Sequence, residues 1–231
     1  MIKYKNIIEG KFVKRPNRFI GHVLINEKEE IAHVKNTGRC KEILLPSTKI
    51  LLEDHQNNPK RKTRYSLISV YKQDMLINID SQVPNQVVYE AILKDKIKGL
   101  NNIVNAKKEA SFNKSRFDIY FENQKEKGYM EIKGVTLEED GIAMFPDAPT
   151  LRGKKHLEDL IQAKKEGYRA IVFFLIQMKG PKLFKINKKR DPAFYEAIKE
   201  AKEKGVEILV YDSIVTKDDI TLDQEIDFDL S

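Results

Sequence analysis

The stretch from Ser115 to Val135, SRFDIYFENQKEKGYMEIKGV, decides how this chain is read. Its two arms, Phe117 to Phe121 and Tyr129 to Val135, alternate apolar with polar residues at period two, as strands with one buried face do. The charged residues between them make the loop of a hairpin. Matching the apolar faces sets Phe117 opposite Ile132 and Ile119 opposite Met130, and the same register sets Asp118 opposite Glu131 on the other face. Lys133 stands on that face too, two residues beyond Glu131. Facing carboxylates repel, so a cation must accompany them. A divalent metal ion is one choice. The other is a solvated face on which Lys133 and Arg116 neutralise the acids as surface ion pairs, each worth roughly 0 to 1 kcal/mol.

Around this hairpin the composition is that of a globular protein, 41% apolar and 33% charged over 231 residues. Met1 to Lys14 is broken by charges every few residues and has no signal-peptide core. The longest apolar run, Ala170 to Ile176, is too short to span a membrane. Cys40 is the single cysteine. That excludes an internal disulfide and a multi-cysteine zinc site, and it fits a cytoplasmic location. The net charge of +7 is unevenly placed. Residues 1–80 hold 16 Lys and Arg against 9 Asp and Glu, whereas residues 81–231 hold 26 of each. From Asp212 onward one Lys stands against seven acids. A basic first third points to a polyanionic partner, with a Lys-rich composition that carries no function as the plain alternative.

Residues 1–80 carry short apolar runs between turn signals: Gly10 to Val13, Phe19 to Ile25, Ile31 to Val34, Lys49 to Glu53, Leu67 to Tyr71 and Met75 to Ile79. With no helical period, these predict a five- or six-stranded antiparallel barrel. Lys60, Arg61, Lys62 and Arg64 fall in a loop between two of the strands, and Lys14, Arg15 and Arg18 beside another turn. Both groups are either phosphate grips or solvated loops.

From residue 81 the pattern changes to helices and strands. Asn85 to Lys98 predicts an amphipathic helix with Pro84 ahead of it and Gly99 at its end. Glu90 lies at the edge of its apolar stripe, as a surface acid or a functional one. A connecting strand is expected over Ala106 to Phe112, and a proline-containing loop beyond Val135. Arg152-Gly153-Lys154-Lys155-His156 starts a basic helix running to Glu166, and helix amino termini attract phosphates. His156 beside its apolar stripe reads as structural or substrate-facing. Ala170 to Ile176, a helix from Asp191-Pro192 to Lys204, and Val206 to Val210 make a strand, helix, strand crossover with a partly parallel sheet. Ile214 to Ile226 predicts an acidic hairpin turning at Asp218-Asp219. Phosphate-binding Gly-Lys loops, dinucleotide fingerprints, nucleophile elbows and paired-histidine zinc helices are absent from the sequence.

Glu90 on a helix, Asp118 on a strand and Glu131-X-Lys133 on the next resemble the core of the PD-(D/E)XK nuclease superfamily, with Phe117 where that core often has proline. A resemblance spanning nearly the whole chain is carried by Asn36-Thr37-Gly38, Asn58-Pro59-Lys60-Arg61-Lys62, Ser115-Arg116-Phe117-Asp118, Glu131-Ile132-Lys133-Gly134-Val135-Thr136-Leu137, Phe145-Pro146-Asp147-Ala148 and Arg152-Gly153-Lys154-Lys155-His156-Leu157. In this order they resemble the sugar fermentation stimulation protein family, SfsA. Gly134, where asparagine is more usual, and Thr63-Arg64-Tyr65 depart from its pattern.

The resemblance implies an α/β fold (α+β overall): an OB-like antiparallel β-barrel over 1–80, then a mixed-sheet, restriction-endonuclease-like α/β domain over 81–231. It implies DNA, single- or double-stranded, as partner and no membrane. It leaves the oligomeric state open, a dimer included. It implies Asp118, Glu131 and Lys133 as catalytic residues, and Glu90, Asp118 and Glu131, with the Ile132 carbonyl, as ligands of Mg²⁺ or Mn²⁺. Arg15, Arg18, Asn36, Lys60, Arg61, Lys62, Arg64, Arg116, Lys154 and Lys155 are the expected nucleic-acid contacts. Two activities stay open, a metal-dependent DNA endonuclease or exonuclease and a non-catalytic DNA-binding regulator of sugar-metabolism genes.

Overall fold

The structure, a computed structural model, describes residues 2–36, 38–56 and 58–230, and Thr37 of the Asn36-Thr37-Gly38 motif lies outside them. The chain opens with a two-residue strand, β1 (Ile2–Lys3), and then builds a barrel from β2 (Ile7–Lys14), β3 (Ile20–Ile25), β4 (Lys28–Val34), β5 (Lys49–Asp54), β6 (Tyr65–Lys72) and β7 (Met75–Asn78). Strand order β4-β3-β2-β5-β6-β7, with an added parallel pairing of β4 on β6, closes five strands and leaves β7 alongside β6. Closure removes the exposed edges that an open sheet of this size would present. Irregular pairing at Phe12/Lys14 and Leu51/Leu52 supplies the bends that closing a small barrel requires.

The remainder is a sheet sandwiched between helices. Helix α1 (Val83–Leu93) leads to β8 (Asn105–Phe112), β9 (Ser115–Glu122) and β10 (Lys127–Val135). Two short strands, β11 (Leu137–Glu139) and β12 (Ile142–Phe145), precede α2 (Leu151–Lys165) and β13 (Arg169–Ile176). The chain ends with β14 (Leu183–Ile186), α3 (Pro192–Glu203), β15 (Glu207–Val215), β16 (Asp219–Glu225) and β17 (Asp227–Asp229). The large sheet has the order β1-β16-β15-β13-β10-β9-β8, with β10, β13 and β15 parallel. Its centre is β13, whose run AIVFFLI is buried on both faces. Ala170, Val172, Phe174 and Ile176 pack on the side of α2 and α3, while Ile171, Phe173 and Leu175 pack on the side of α1. A continuous apolar strand is what a parallel strand covered by helices on both sides needs.

Several boundaries differ from those the sequence predicts. Helix α1 starts earlier, with Pro84 inside its first turn, where a missing N–H costs nothing. It ends at Leu93 rather than Lys98, because Asp95 takes a left-handed φ of 51° and the Lys96 N–H turns back to the Ala91 carbonyl. The region beyond Val135 is not only loop: β11 and β12 join β14 and β17 in a second, four-stranded sheet. Strands of three or four residues are too short to show a period. The predicted break after Val210 is also absent, since β15 runs to Val215 through the fully buried Asp212.

A buried polar seam fastens the barrel to this sandwich. Gln177, directly after β13, donates from Nε2 to the Asn78 carbonyl at 3.1 Å and to the Asp80 carbonyl at 3.2 Å, and its own carbonyl accepts from the Asn78 N–H at 2.9 Å. Lys72 of β6 reaches the buried Glu138 of β11 at 2.6 Å. Such groups stay buried only because each finds a partner.

Gly128 shows how tightly the hairpin is packed. A Cβ placed there would lie 2.3 Å from Phe121 Cζ and 2.6 Å from the Arg169 carbonyl oxygen, which is backbone and cannot swing away. Gly128→Ala is expected to destabilise the protein by about 1–3 kcal/mol, read as a lower urea midpoint with an unchanged slope.

Candidate functional site

The hairpin register is the predicted one as far as Ile119 opposite Met130. There the ladder stops. The next pair would be Asp118 with Glu131, but the strands part, and the Ile132 N–H donates at 2.7 Å to Asp118 Oδ2. On the other side of β9, Glu109 sits opposite Asp118 with a left-handed φ of 56°, and that pair is missing from the ladder as well. The kink turns Phe117 away from Ile132. Its ring packs 5.2 Å from Tyr129 and 5.6 Å from Phe112, whereas Ile119, Met130 and Ile132 remain on the α1 side. The expected Phe117–Ile132 partnership is therefore corrected: the twist at Asp118 breaks strict alternation.

Two helices reach this parting from opposite faces. From α1, Asn85 Nδ2 donates to Asp118 Oδ1 at 2.7 Å. From α2, His156 Nδ1 donates to Glu131 Oε1, and Lys133 Nζ donates to the same oxygen at 2.7 Å. Arg152 Nε donates to His156 Nε2 at 3.2 Å, which places the neutral ring's proton on Nδ1. Helix α2 is held for this by its cap, Thr150 Oγ1 accepting from the Gly153 N–H at 3.0 Å. Glu131 is 3% exposed, and its second oxygen, Oε2, is buried with no hydrogen-bond partner. A bare buried carboxylate oxygen is costly and marks a place where a cation or donor is due.

The two acids are tuned in opposite directions. Burial, then the charge of Glu131, raises Asp118 above the usual aspartate range, against the pull of the Ile132 N–H and Lys133. Burial acts to raise Glu131 too, but the His156 hydrogen bond and the Lys133 charge outweigh it and hold the group below its ordinary value. One carboxylate is neutralised by its neighbours and the other still lacks a counter-charge.

Glu90 is not part of this arrangement. It accepts from Gln86 Nε2 at 3.0 Å, pairs with Lys94 at 3.7 Å, and lines a small cavity with Ile220 and Leu222 of β16. Among the described residues no group of three or more His, Cys, Asp or Glu side chains is placed to hold a metal ion, so Glu90, Asp118 and Glu131 do not form one ligand set. From the same helix it is Asn85, five residues earlier, that reaches Asp118.

The expected nucleic-acid contacts fall into two classes. Arg15 is committed internally, its guanidinium donating to the carbonyls of Gly38, Arg39, Arg18 and Asn36. Asn36 is a brace, bonded to the Ile79 carbonyl and the Gly38 N–H. Arg64 grips Asp54 through two bonds of 2.8 and 2.7 Å, Arg61 donates to Ser66 Oγ at 2.7 Å, and Arg116 pairs with Glu109 at 2.8 Å. Arg18, Lys60, Lys62, Lys154 and Lys155 project into solvent, Lys154 with a loose 3.9 Å pairing to Glu158. A cationic concavity of about 680 Å³ beside the barrel is lined by Lys14, Arg15 and Arg18, which the sequence marked, and by Arg39 and Lys41, which it did not. Cys40 is buried and its thiol is pushed up to about 12 by that burial, which rules it out as a nucleophile at neutral pH. No helix among the described residues is long and apolar enough to cross a membrane.

Comparison with known proteins matches the two halves separately. Residues 82–219 match the family described as the sugar fermentation stimulation protein RE domain, and residues 13–79 match the SfsA N-terminal OB domain. A sugar fermentation stimulation protein homolog of Alkaliphilus oremlandii is 55% identical over 232 residues, covering 99% of each chain. One of Clostridium botulinum is 55% identical over 229 residues, covering 98% of each. The solved structure of Pyrococcus furiosus SfsA in complex with Ca²⁺ is similar with a TM-score of 0.88 at 30% identity, over 99% of both chains.

Arg15 and Arg18 lie three residues apart with opposite tasks, which separates stability from surface chemistry. Arg15→Ala removes a charged donor from four carbonyls and is expected to cost about 1–3 kcal/mol, while Arg18→Ala stays within about 0.5 kcal/mol. Urea unfolding of the two variants beside the wild type measures both.

Proposed function

The chain belongs to the sugar fermentation stimulation protein family, and we propose that it binds DNA and hydrolyses phosphodiester bonds with Mg²⁺ or Mn²⁺ at the parting of β9 and β10. The observation that carries this reading is the unpartnered, buried Glu131 Oε2 beside an Asp118 whose carboxyl is raised by burial and by Glu131 itself. The donor set suits a hard divalent ion, which is commonly held through one or two carboxylates and completes its shell with water and substrate phosphate. The Pyrococcus furiosus relative, solved in complex with Ca²⁺, is in keeping with that chemistry. Asp118 and Glu131 would hold the ion, with the Ile132 carbonyl. The ion, when bound, supplies an acidified water and a polarised phosphate oxygen.

The protein's own groups do the rest. Asn85 and the Ile132 N–H fix both oxygens of Asp118, so the carboxylate is oriented before any ligand arrives. Lys133 carries a compact positive charge 2.7 Å from Glu131 Oε1, placed to stabilise the charge that develops on a reacting phosphate. Burial at this seam lowers the local dielectric and strengthens both effects.

A second reading, a DNA-binding regulator of sugar-metabolism genes that does not cleave, draws on His156. Its bond to Glu131 Oε1, with that of Lys133, already satisfies one oxygen from within the chain. The two readings separate experimentally. Under the nuclease reading Mg²⁺ or Mn²⁺ raises the melting temperature of the wild type; at 100 times its Kd an ion stabilises by about 2.7 kcal/mol, which is several degrees for a chain of this size. Asp118→Ala abolishes both that shift and cleavage of labelled single-stranded, duplex or branched DNA. Lys133→Ala keeps the shift and loses cleavage. A metal shift with no cleavage of any of these DNAs by the wild type supports the regulator, and equal cleavage by wild type and Asp118→Ala marks a contaminant.

A further inference from the structure

We infer that the 680 Å³ cleft beside the barrel is the entry site for single-stranded nucleic acid. This location rests on the nucleic-acid reading above. Charge supports it first. Lys14, Arg15, Arg18, Arg39 and Lys41 all line this cleft, no Asp or Glu does, and among the described residues none of the five sits in an ion pair with a carboxylate. The loop at 60–64, which a reading of charge alone favours, has Arg64 locked on Asp54 and Arg61 on Ser66. Arg15 holds the cleft wall by its four carbonyl bonds, which leaves Lys14, Arg18, Arg39 and Lys41 as exposed cations. A phosphate chain binds where positive charge is uncompensated, because only there does binding release counterions without breaking an internal pair.

The form of the ligand follows from an aromatic side chain. Phe19, next in the chain to Arg18 of the cleft lining, is 52% exposed, and the Arg18 guanidinium lies 5.8 Å from the centre of its ring. An exposed ring beside a cationic groove is a stacking platform for unpaired bases, whose faces are free. The bases of a duplex are already stacked on one another and gain nothing from it.

The cleft has a smaller neighbour on the side of the large sheet. Gly38 lines both this cleft and a smaller cavity of about 170 Å³ whose other walls include Gly134 and Thr136, immediately after Lys133 on β10. Asp147 also lines that smaller cavity and lies close to Gly38, where a Cβ would be 2.6 Å from its Oδ2. Arg39 and Lys41 also line a third cavity, of about 290 Å³, together with Glu42, Asp147 and Arg190, while Lys14 and Arg18 line the cleft alone. The uncompensated charge is thus at the barrel mouth.

The test is fluorescence anisotropy of the full chain with a labelled oligothymidylate of about 15 nucleotides, near the upper end of site sizes for one such barrel. The triple variant Arg18→Ala, Arg39→Ala, Lys41→Ala is expected to bind at least tenfold more weakly, with a log K against log salt slope shallower by about 2. Phe19→Ala weakens binding roughly tenfold without changing that slope. Lys60→Ala with Lys62→Ala leaves affinity within about twofold, and a duplex of equal length binds more weakly than the single strand. Circular dichroism identifies any variant that fails to fold, in which case Arg39→Gln and Phe19→Ala, each a single exposed change, decide the matter. Binding by the wild type with equal affinity in the cleft variants, or a loss confined to Lys60 and Lys62, overturns this inference and leaves nucleic-acid binding standing. No binding by the wild type to single strand or duplex overturns both.

Discussion

The hydrogen bond from the Ile132 N–H to Asp118 is the constraint on which the candidate site depends. A backbone donor in the middle of a sheet would ordinarily be satisfied by the carbonyl of the next strand. Here a side chain takes its place, so β9 and β10 separate without leaving that donor orphaned. The separation lets helices on both sides of the sheet contribute: Asn85 from α1, His156 and Arg152 from α2. A continuous ladder would have put Asp118 and Glu131 side by side with nothing between them.

The electrostatics of that opening are self-opposing. Because the fold raises Asp118, its ionised form carries a cost that is fully present above the folded value and is relieved as pH falls towards the ordinary aspartate range. Glu131 is lowered, so it contributes stability above the ordinary glutamate range that is lost as pH falls through its folded value. A fold selected for rigidity alone would have replaced such a pair by apolar groups, since buried charges seldom repay their desolvation. Perturbed carboxylates of this kind at a seam between two helices and two strands are the physical ground of the functional reading proposed above.

Much of this was legible in the sequence, and the failures have identifiable causes. The register of the hairpin followed from period-two alternation because one face of it is buried, and the same parity placed Lys133 beside Glu131. The continuous apolar run of β13 and the caps at Thr150 and Asp191 are equally local signals. Asn85 was not found, because nothing in a helix of eleven residues distinguishes the position that meets a strand more than thirty residues later; Glu90 is acidic and looked the better candidate. His156 carries a fainter signal, its spacing of four from Arg152 on one helix face. The buried Asp212 split a single strand in two on paper, since its partners Lys179 and the Gln224 N–H are contributed by other segments. The pairing of Arg64 in the basic loop was hidden for the same reason: its acid, Asp54, belongs to the strand before it.

The smallest element of the fold, β1, has a disproportionate effect. Ile2 and Lys3 pair with Ile220 and Asp219, so the chain enters the large sheet, leaves it to build the whole barrel, and returns through α1. The barrel is thereby an insertion clasped at both ends and not a bead on a string. Its swing relative to the sheet is restricted by two chain crossings and by the Asn78–Gln177 seam. A two-residue strand thus acts as a latch, tying the segment ahead of the barrel to the β16 edge of the large sheet while α1 ties the segment behind it.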